Sequence, residues 1–288
     1  MVAALRIYSQ RLVALMRDHR WGGTALISLY LSIVSGIVLA LHYDFKEAFY
    51  SLTTIELIVP YGAFWRSLHY YSSQLFLLLS LVHLSMVLWK KSADMKRSSW
   101  VRLCLSLPAA ILLLFTGYVL RGDATGEAAG MIAEHICVSI PLIGNALNAL
   151  LFDLGASGVR KVYVHHVIGL VVLGGITVWP HLRKYRAAMH NHLLLILITL
   201  VLAAVLHAPI EASRFGLLFI AGPWFFLGLQ ELLRTLPTFV AGVLIPLLPI
   251  ALLCALPRQG RNRNLFLLLL ILWLCAYAWF SWLCLQRI

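Results

Sequence analysis

The sequence predicts an all-α fold: a polytopic transmembrane bundle of about seven spans, with a four-helix core followed by three C-terminal helices. Three observations lead there. First, 61% of the 288 residues are hydrophobic and only 12% are charged, more apolar surface than a soluble domain can hide. Second, the apolar residues fall in continuous runs rather than in alternation. In lipid, where the backbone must satisfy its own hydrogen bonds, such runs mean helices and not barrel strands. Third, the net charge of +12 gathers in alternate connecting segments, which is the positive-inside bias of a membrane protein and not a nucleic-acid footprint.

The first 20 residues place Arg6, Arg11, Arg17 and Arg20 between Leu5, Leu12, Val13 and Met16. That pattern predicts an amphipathic helix on an anionic membrane surface, with a solvated arm as the alternative. It lacks the continuous apolar core of a cleavable signal. Apolar runs then predict helices over roughly 24–43, 64–89, 100–121, 160–182, 190–209, 238–256 and 264–285. The stretch Phe215–Leu229 is apolar enough to be an eighth, and charge decides against it. With seven spans and a cytoplasmic N-terminus, the inner segments hold 15 of the 23 basic residues and only Asp18 and Asp94 of the acids. An eighth span would move Arg258, Arg261 and Arg263 outside. Residues 210–237 are therefore expected to dip into the outer interface without crossing, broken at Pro223 and Pro237. The expected division is a surface helix over 1–20, a four-helix core over 21–186 and a three-helix membrane region over 187–288. The loop 122–159 is long enough to be functional or covered by a partner. The five cysteines show neither C-x-x-C nor C-x-x-C-H spacing, so a zinc site or covalently attached haem is not expected.

Histidines in lipid are expensive and tend to line functional interiors. The second predicted helix carries His69 and His83, 14 residues apart. The fourth carries His165, His166 and His181, with His166 and His181 15 apart. At about 100° and ~1.5 Å per residue, each pair is nearly cofacial and separated by ~21–22 Å. His165 to His181 is out of phase by ~160°, which favours His166 as the partner. The two helices run in the same direction, so His69 and His166 share an outer depth and His83 and His181 an inner one. Facing imidazoles at two depths are the axial ligands of two non-covalent haems b, whereas a single histidine would more often be a satisfied polar residue. The ~21 Å separation excludes one shared metal site. Gly22 and Gly36, also 14 apart, offer room at the same two levels, with ordinary helix packing as the alternative. Arg66, one turn before His69, is placed to pair with a haem propionate, or else to snorkel.

Several stretches resemble cytochrome b of the quinol-oxidising respiratory and photosynthetic complexes. They are Gly36–Ile37–Val38–Leu39–Ala40–Leu41–His42–Tyr43, Tyr61–Gly62–Ala63–Phe64–Trp65–Arg66–Ser67–Leu68–His69, Gly117–Tyr118–Val119–Leu120, Ile140–Pro141–Leu142–Ile143–Gly144 and Gly222–Pro223–Trp224–Phe225–Phe226–Leu227. The resemblance implies that His69 and His166 bind the outer haem and His83 and His181 the inner one, with Gly117 facing the macrocycle. It also implies a quinol site built from the loops after the third and fifth helices, and a seven-span core without the family's eighth helix.

The departures from the family pattern bear on mechanism. After Gly-Tyr-Val-Leu the family has Pro-Trp-Gly, and here stand Arg121–Gly122–Asp123. Its Pro-Glu-Trp-Tyr reads Gly222–Pro223–Trp224–Phe225, without the glutamate that accepts a quinol proton. Leu103 stands 14 before Gly117, where a glycine is expected. Asp123 and Glu127 are the substitute proton acceptors weighed, against ordinary loop charges. The leading expectation is a dihaem subunit in a bacterial or archaeal cytoplasmic membrane, N-terminus inside. It exchanges electrons between menaquinone or ubiquinone and an outer-face multihaem c-type cytochrome or iron–sulfur protein. A haem-containing structural anchor without quinone chemistry is the alternative. A haem-free transporter lacks its expected repeats and broken midplane helices.

Overall fold

A computed structural model describes residues 19–89, 95–211, 220–256 and 261–287, and the expected surface helix over 1–20 lies almost wholly outside them. Among the described residues every regular element is helical. We number the helices α1 (Trp21–Ala40), α2 (Ala48–Leu57), α3 (Gly62–Trp89), α4 (Arg97–Val119), α5 (Ala124–Val138), α6 (Gly144–Leu151), α7 (Arg160–Lys184), α8 (Leu193–Val205), α9 (Leu227–Thr235), α10 (Val240–Ala255) and α11 (Arg261–Leu285). Five of them (α1, α3, α4, α7 and α11) are long and apolar enough to cross a membrane. Two shorter apolar stretches, Met189–Val205 and Val240–Ala255, stand where the fifth and sixth spans were expected.

The chain groups into two compact units interleaved in sequence. One contains α1, α3 and α8, and the other contains α2, α4–α7 and α9–α11. In the first, α1 and α3 are antiparallel neighbours. Buried Ser28 and Ser35 on α1 and Ser72 on α3 return their hydroxyls to carbonyls three or four residues back, so small polar residues pack helix to helix without an unmet hydrogen bond.

In the second unit a core of Phe115, Val119, Ala129, Ala133, Phe152 and Val162 joins α4, α5 and α7. The turn between α4 and α5 depends on Gly122, whose φ is +64° and whose added Cβ would lie 2.8 Å from Ala48 Cβ; an L side chain there would be strained and would clash. Asp123 then caps α5, its Oδ1 accepting from the Gly126 amide at 3.0 Å. At the opposite end of α4, Arg97 and Trp100 donate to the carbonyls of Leu256 and Leu253, at 2.8 and 2.7 Å.

Of the eighth candidate span, Phe215–Leu229, residues 215–219 lie outside the described residues. The described remainder is non-helical over 220–223, turns once at Trp224–Phe226 and enters α9. Nine residues of helix reach about 14 Å, under half a bilayer core. α9 packs on α11. Its buried Glu231 takes three hydrogen bonds from Arg287 Nε and Nη2, the shortest at 2.8 Å.

Candidate functional site

The α1–α3 pair positions two of the four expected ligands with one device. A Cβ added to Gly36 would lie 2.9 Å from His69 Cε1, and one added to Gly22 would lie 3.0 Å from His83 Cε1. Antiparallel helices that meet at two points 14 residues apart on both strands are in register, with ~21 Å between the contacts. The glycines expected to leave room for a flat macrocycle therefore do something more specific: they let each imidazole lie against the main chain of α1. His69 Nδ1 donates to the Ser32 carbonyl at 2.9 Å, with Ser35 Oγ at 3.5 Å. A proton held on Nδ1 makes Nε2 the nitrogen with the lone pair, as an iron ligand requires.

In the second unit, Thr116 and Gly117 serve His166 in the same way. The Thr116 hydroxyl donates to the Leu112 carbonyl at 2.7 Å and so accepts from His166 Nδ1 at 2.9 Å. A Cβ on Gly117 would lie 3.3 Å from His166 Cε1. His165 faces elsewhere, its Nε2 donating to the Leu150 carbonyl of α6 at 3.1 Å. Residues His165–Gly169 form a single π-helical turn within α7. Such a turn absorbs one extra residue, so the 15-residue step from His166 to His181 acts as 14, with a phase of about −40° instead of +60°. That is the phase of His69 and His83. On α4, the position 14 before Gly117 is half-buried Leu103, not glycine.

Other expected site residues have different partners. Arg66 is buried, and its Nη2 donates to the Ala208 carbonyl, while Ser67 Oγ accepts the Ala208 amide at 2.9 Å. This arginine tethers the backbone after α8. Asp123, weighed as a proton acceptor, is 2% exposed. Its oxygens take the Gly126 amide, the Arg121 guanidinium (Nε at 2.8 Å) and the Glu211 amide at 3.1 Å. A carboxylate so fully engaged is a structural keystone, and protonating it would undo a helix cap and an ion pair. Glu127 is exposed in the first turn of α5.

Two further features concern His192 and a cleft, the latter formed by the segments after the third and fifth expected helices, where the resemblance implies a quinol site. His192 is buried, with Nε2 2.9 Å from where a Cβ of Gly23 would stand, so adjacent glycines on α1 seat two different histidines. A narrow cleft also opens between α4, α5 and the 220–233 segment, lined by Phe115, Thr125, Ile132, Pro223, Phe226 and Gln230 among others. Gln230 shapes its rim, accepting from the Gly222 amide at 2.8 Å and donating to the Ile220 carbonyl at 2.7 Å. Nearby, Tyr43 donates to the Leu120 carbonyl at 2.6 Å and stacks on Tyr163. Burial first, then Tyr163 and Asp44, hold its phenol above the usual range, so it stays a neutral donor.

A profile of the family described as Cytochrome b/b6/petB matches residues 9–189. The cytochrome b6 of Heliobacterium mobile is 30% identical over 161 residues, covering 53% of this chain and 76% of that protein. The menaquinol:cytochrome c reductase cytochrome b subunit of Geobacillus thermodenitrificans is 27% identical over 157 residues, 52% of this chain and 70% of the relative. A solved structure of a hyperthermophilic respiratory Complex III superposes with a TM-score of 0.69 at 20% identity, over 92% of this chain and 82% of its own. At that identity the likeness is one of fold.

Proposed function

This chain belongs to the cytochrome b family, and on that premise we propose that it is the membrane subunit of a quinol-linked oxidoreductase complex. In this reading His69, His83, His166 and His181 hold two haems b, and electrons pass between the quinone pool and a redox partner at the outer face. Family membership by itself implies haem b and electron transfer, and the apolar helices make the chain an integral membrane protein.

The observation that carries the reading is the helix pair α1–α3. Gly36 against His69 and Gly22 against His83 repeat one contact at two levels of one antiparallel pair, a regularity that packing alone does not require. The residues fit the group. The Nδ1 protons of His69 and His166 are taken by a main-chain carbonyl and a threonine hydroxyl, which leaves Nε2 as the donor nitrogen in both. When bound, the haem iron supplies reversible one-electron chemistry at each level. The chain's own part is to hold the imidazoles in one tautomer, keep bulk away from them and exclude water. The cleft between α4, α5 and the 220–233 segment is lined almost entirely by apolar side chains, which supports the quinone half of the proposal.

The test is the haem content of the protein purified from membranes, read from reduced-minus-oxidised spectra. We expect two b-type haems per chain, each His→Ala change at 69 or 83 removing one. Absence of a b-type band, or haem content indifferent to both changes, refutes the assignment. Reduction of those haems by an added hydroquinone separates an electron carrier from a structural anchor, whose haems would stay oxidised. Identifying the subunits that copurify tests for a c-type cytochrome or iron–sulfur protein as the partner.

A further inference from the structure

We infer that Glu211 is the carboxylate that takes a proton from a hydroquinone in the α4–α5–220–233 cleft, with the Thr125 hydroxyl as the relay. This rests on the quinone half of the reading above and names the residue that completes it. The family's motif glutamate is absent here, where Gly222–Pro223–Trp224–Phe225 stands. The cleft lining is otherwise almost entirely apolar. Among its described residues Thr125 carries the one hydroxyl, and Gln230 is committed to the backbone of residues 220 and 222. Thr125 is 2% exposed and donates to Glu211 Oε2, with the Ala221 carbonyl a more distant acceptor at 3.3 Å. A hydroxyl that donates outward keeps lone pairs for a donor inside the cleft. Glu211 in turn is 43% exposed along its side chain, so its carboxylate touches the cleft hydroxyl on one side and water on the other. That is the arrangement a proton exit needs.

Among the described residues, the charged groups facing Glu211 are Arg121, whose Nη2 is 3.8 Å from Oε1, and Asp123, which accepts the Glu211 amide. Glu127 is the other carboxylate in the first turn of α5. Asp123 is fully engaged by Gly126, Arg121 and Glu211 and is a poor acceptor for that reason. The step balances without an oxidant. The hydroquinone O–H breaks heterolytically, its proton goes to Thr125 Oγ, and the Thr125 proton passes to the Glu211 carboxylate. The electron pair stays on the ring oxygen as a hydroquinone anion, and threonine is regenerated. Electron loss from that anion is a later event.

The test uses the membrane complex containing this chain, with a short-chain alkyl hydroquinone as reductant and an alkyl hydroxynaphthoquinone as a non-reducing binding probe. Glu211→Gln and Thr125→Val should each slow quinol-driven haem reduction by about 10²-fold or more at neutral pH, the usual scale for a lost general base. Probe affinity and haem spectra should change less than about twofold, and the rise of rate with pH should flatten. Glu211→Asp should recover part of the rate, and Thr125→Ser most of it. Glu211→Gln or Thr125→Val keeping the wild-type rate and pH profile overturns the proposal. Loss of haem in the Glu211→Gln protein leaves the decision to the Thr125 pair, where equal rates for Val and Ser overturn it. The underlying cleft assignment fails differently: filling the cleft with Ala128→Phe would then leave both probe binding and quinol reduction unchanged.

Discussion

The α1–α3 pair and the α4–α7 pair solve one problem with different means. On α1 and α3 two straight helices carry matching 14-residue intervals, glycine opposite histidine at both ends. On α4 and α7 only the Gly117–His166 end has its glycine. Fourteen residues before Gly117 stands Leu103, and a π-helical turn absorbs the one residue by which the His166–His181 interval exceeds the His69–His83 interval. Where sequence intervals match, regular helix suffices. Where they do not, the backbone itself carries the correction.

The sharpest break in that comparison is Gly36→Leu or Gly22→Leu. A side chain starting about 3 Å from an imidazole must push it away. Each change should therefore cost one haem of the pair, seen as a halved pyridine-haemochrome yield. Equal yields in wild type and both variants would mean that the glycines are only packing residues. Next in size is Thr116→Val, which removes the acceptor from His166 Nδ1. Loss of such a supporting partner typically weakens a metal site 10–100-fold, and haem transfer to apomyoglobin should quicken on that scale, with Thr116→Ser near wild type. Smaller again is Leu103→Gly. It gives α4 the missing seat and should shift the spectrum of one haem, the one paired with His181, leaving the other unchanged. The smallest effect is the most discriminating. Deleting Ile168 should convert the π turn to α-helix and leave haem content near two, because His166 and His181 keep their phase. Deleting Leu77 from α3, which has no such turn between His69 and His83, should abolish binding at one level.

Hydropathy and charge placed the long helices within a few residues, because continuous apolar runs and positive segments are local properties. The intervals between Gly22 and Gly36, and between His69 and His83, were legible for the same reason: a regular helix converts spacing directly into direction. What escaped the sequence was non-local or irregular. Arg66 donates to the Ala208 carbonyl, 142 residues away, a contact that its place one turn before His69 does not announce. In the sequence Asp123 reads only as a loop carboxylate, and its engagement by Arg121 and by the Glu211 amide depends on the α4–α5 turn at Gly122. The π turn leaves no pattern in hydropathy, although the 15-residue histidine interval, one more than its counterpart, was its trace. Glu211 belongs to a connecting segment and becomes relevant only through Thr125 on another element.

The grip of Arg66 and Ser67 on residue 208 bears on how a short segment traverses a bilayer. Helix α8 and the turn before it, Met189–Val205, rise about 28 Å at 1.5–2.0 Å per residue, just under the ~30 Å hydrocarbon thickness. The chain leaves the helix at Leu206, whose backbone is extended. Uncoiled peptide in oil is normally prohibitive because its amides and carbonyls go unanswered. Here one arginine and one serine answer both groups of Ala208. Borrowed donors and acceptors let the backbone beyond α8 leave the helix without an unmet amide or carbonyl at Ala208.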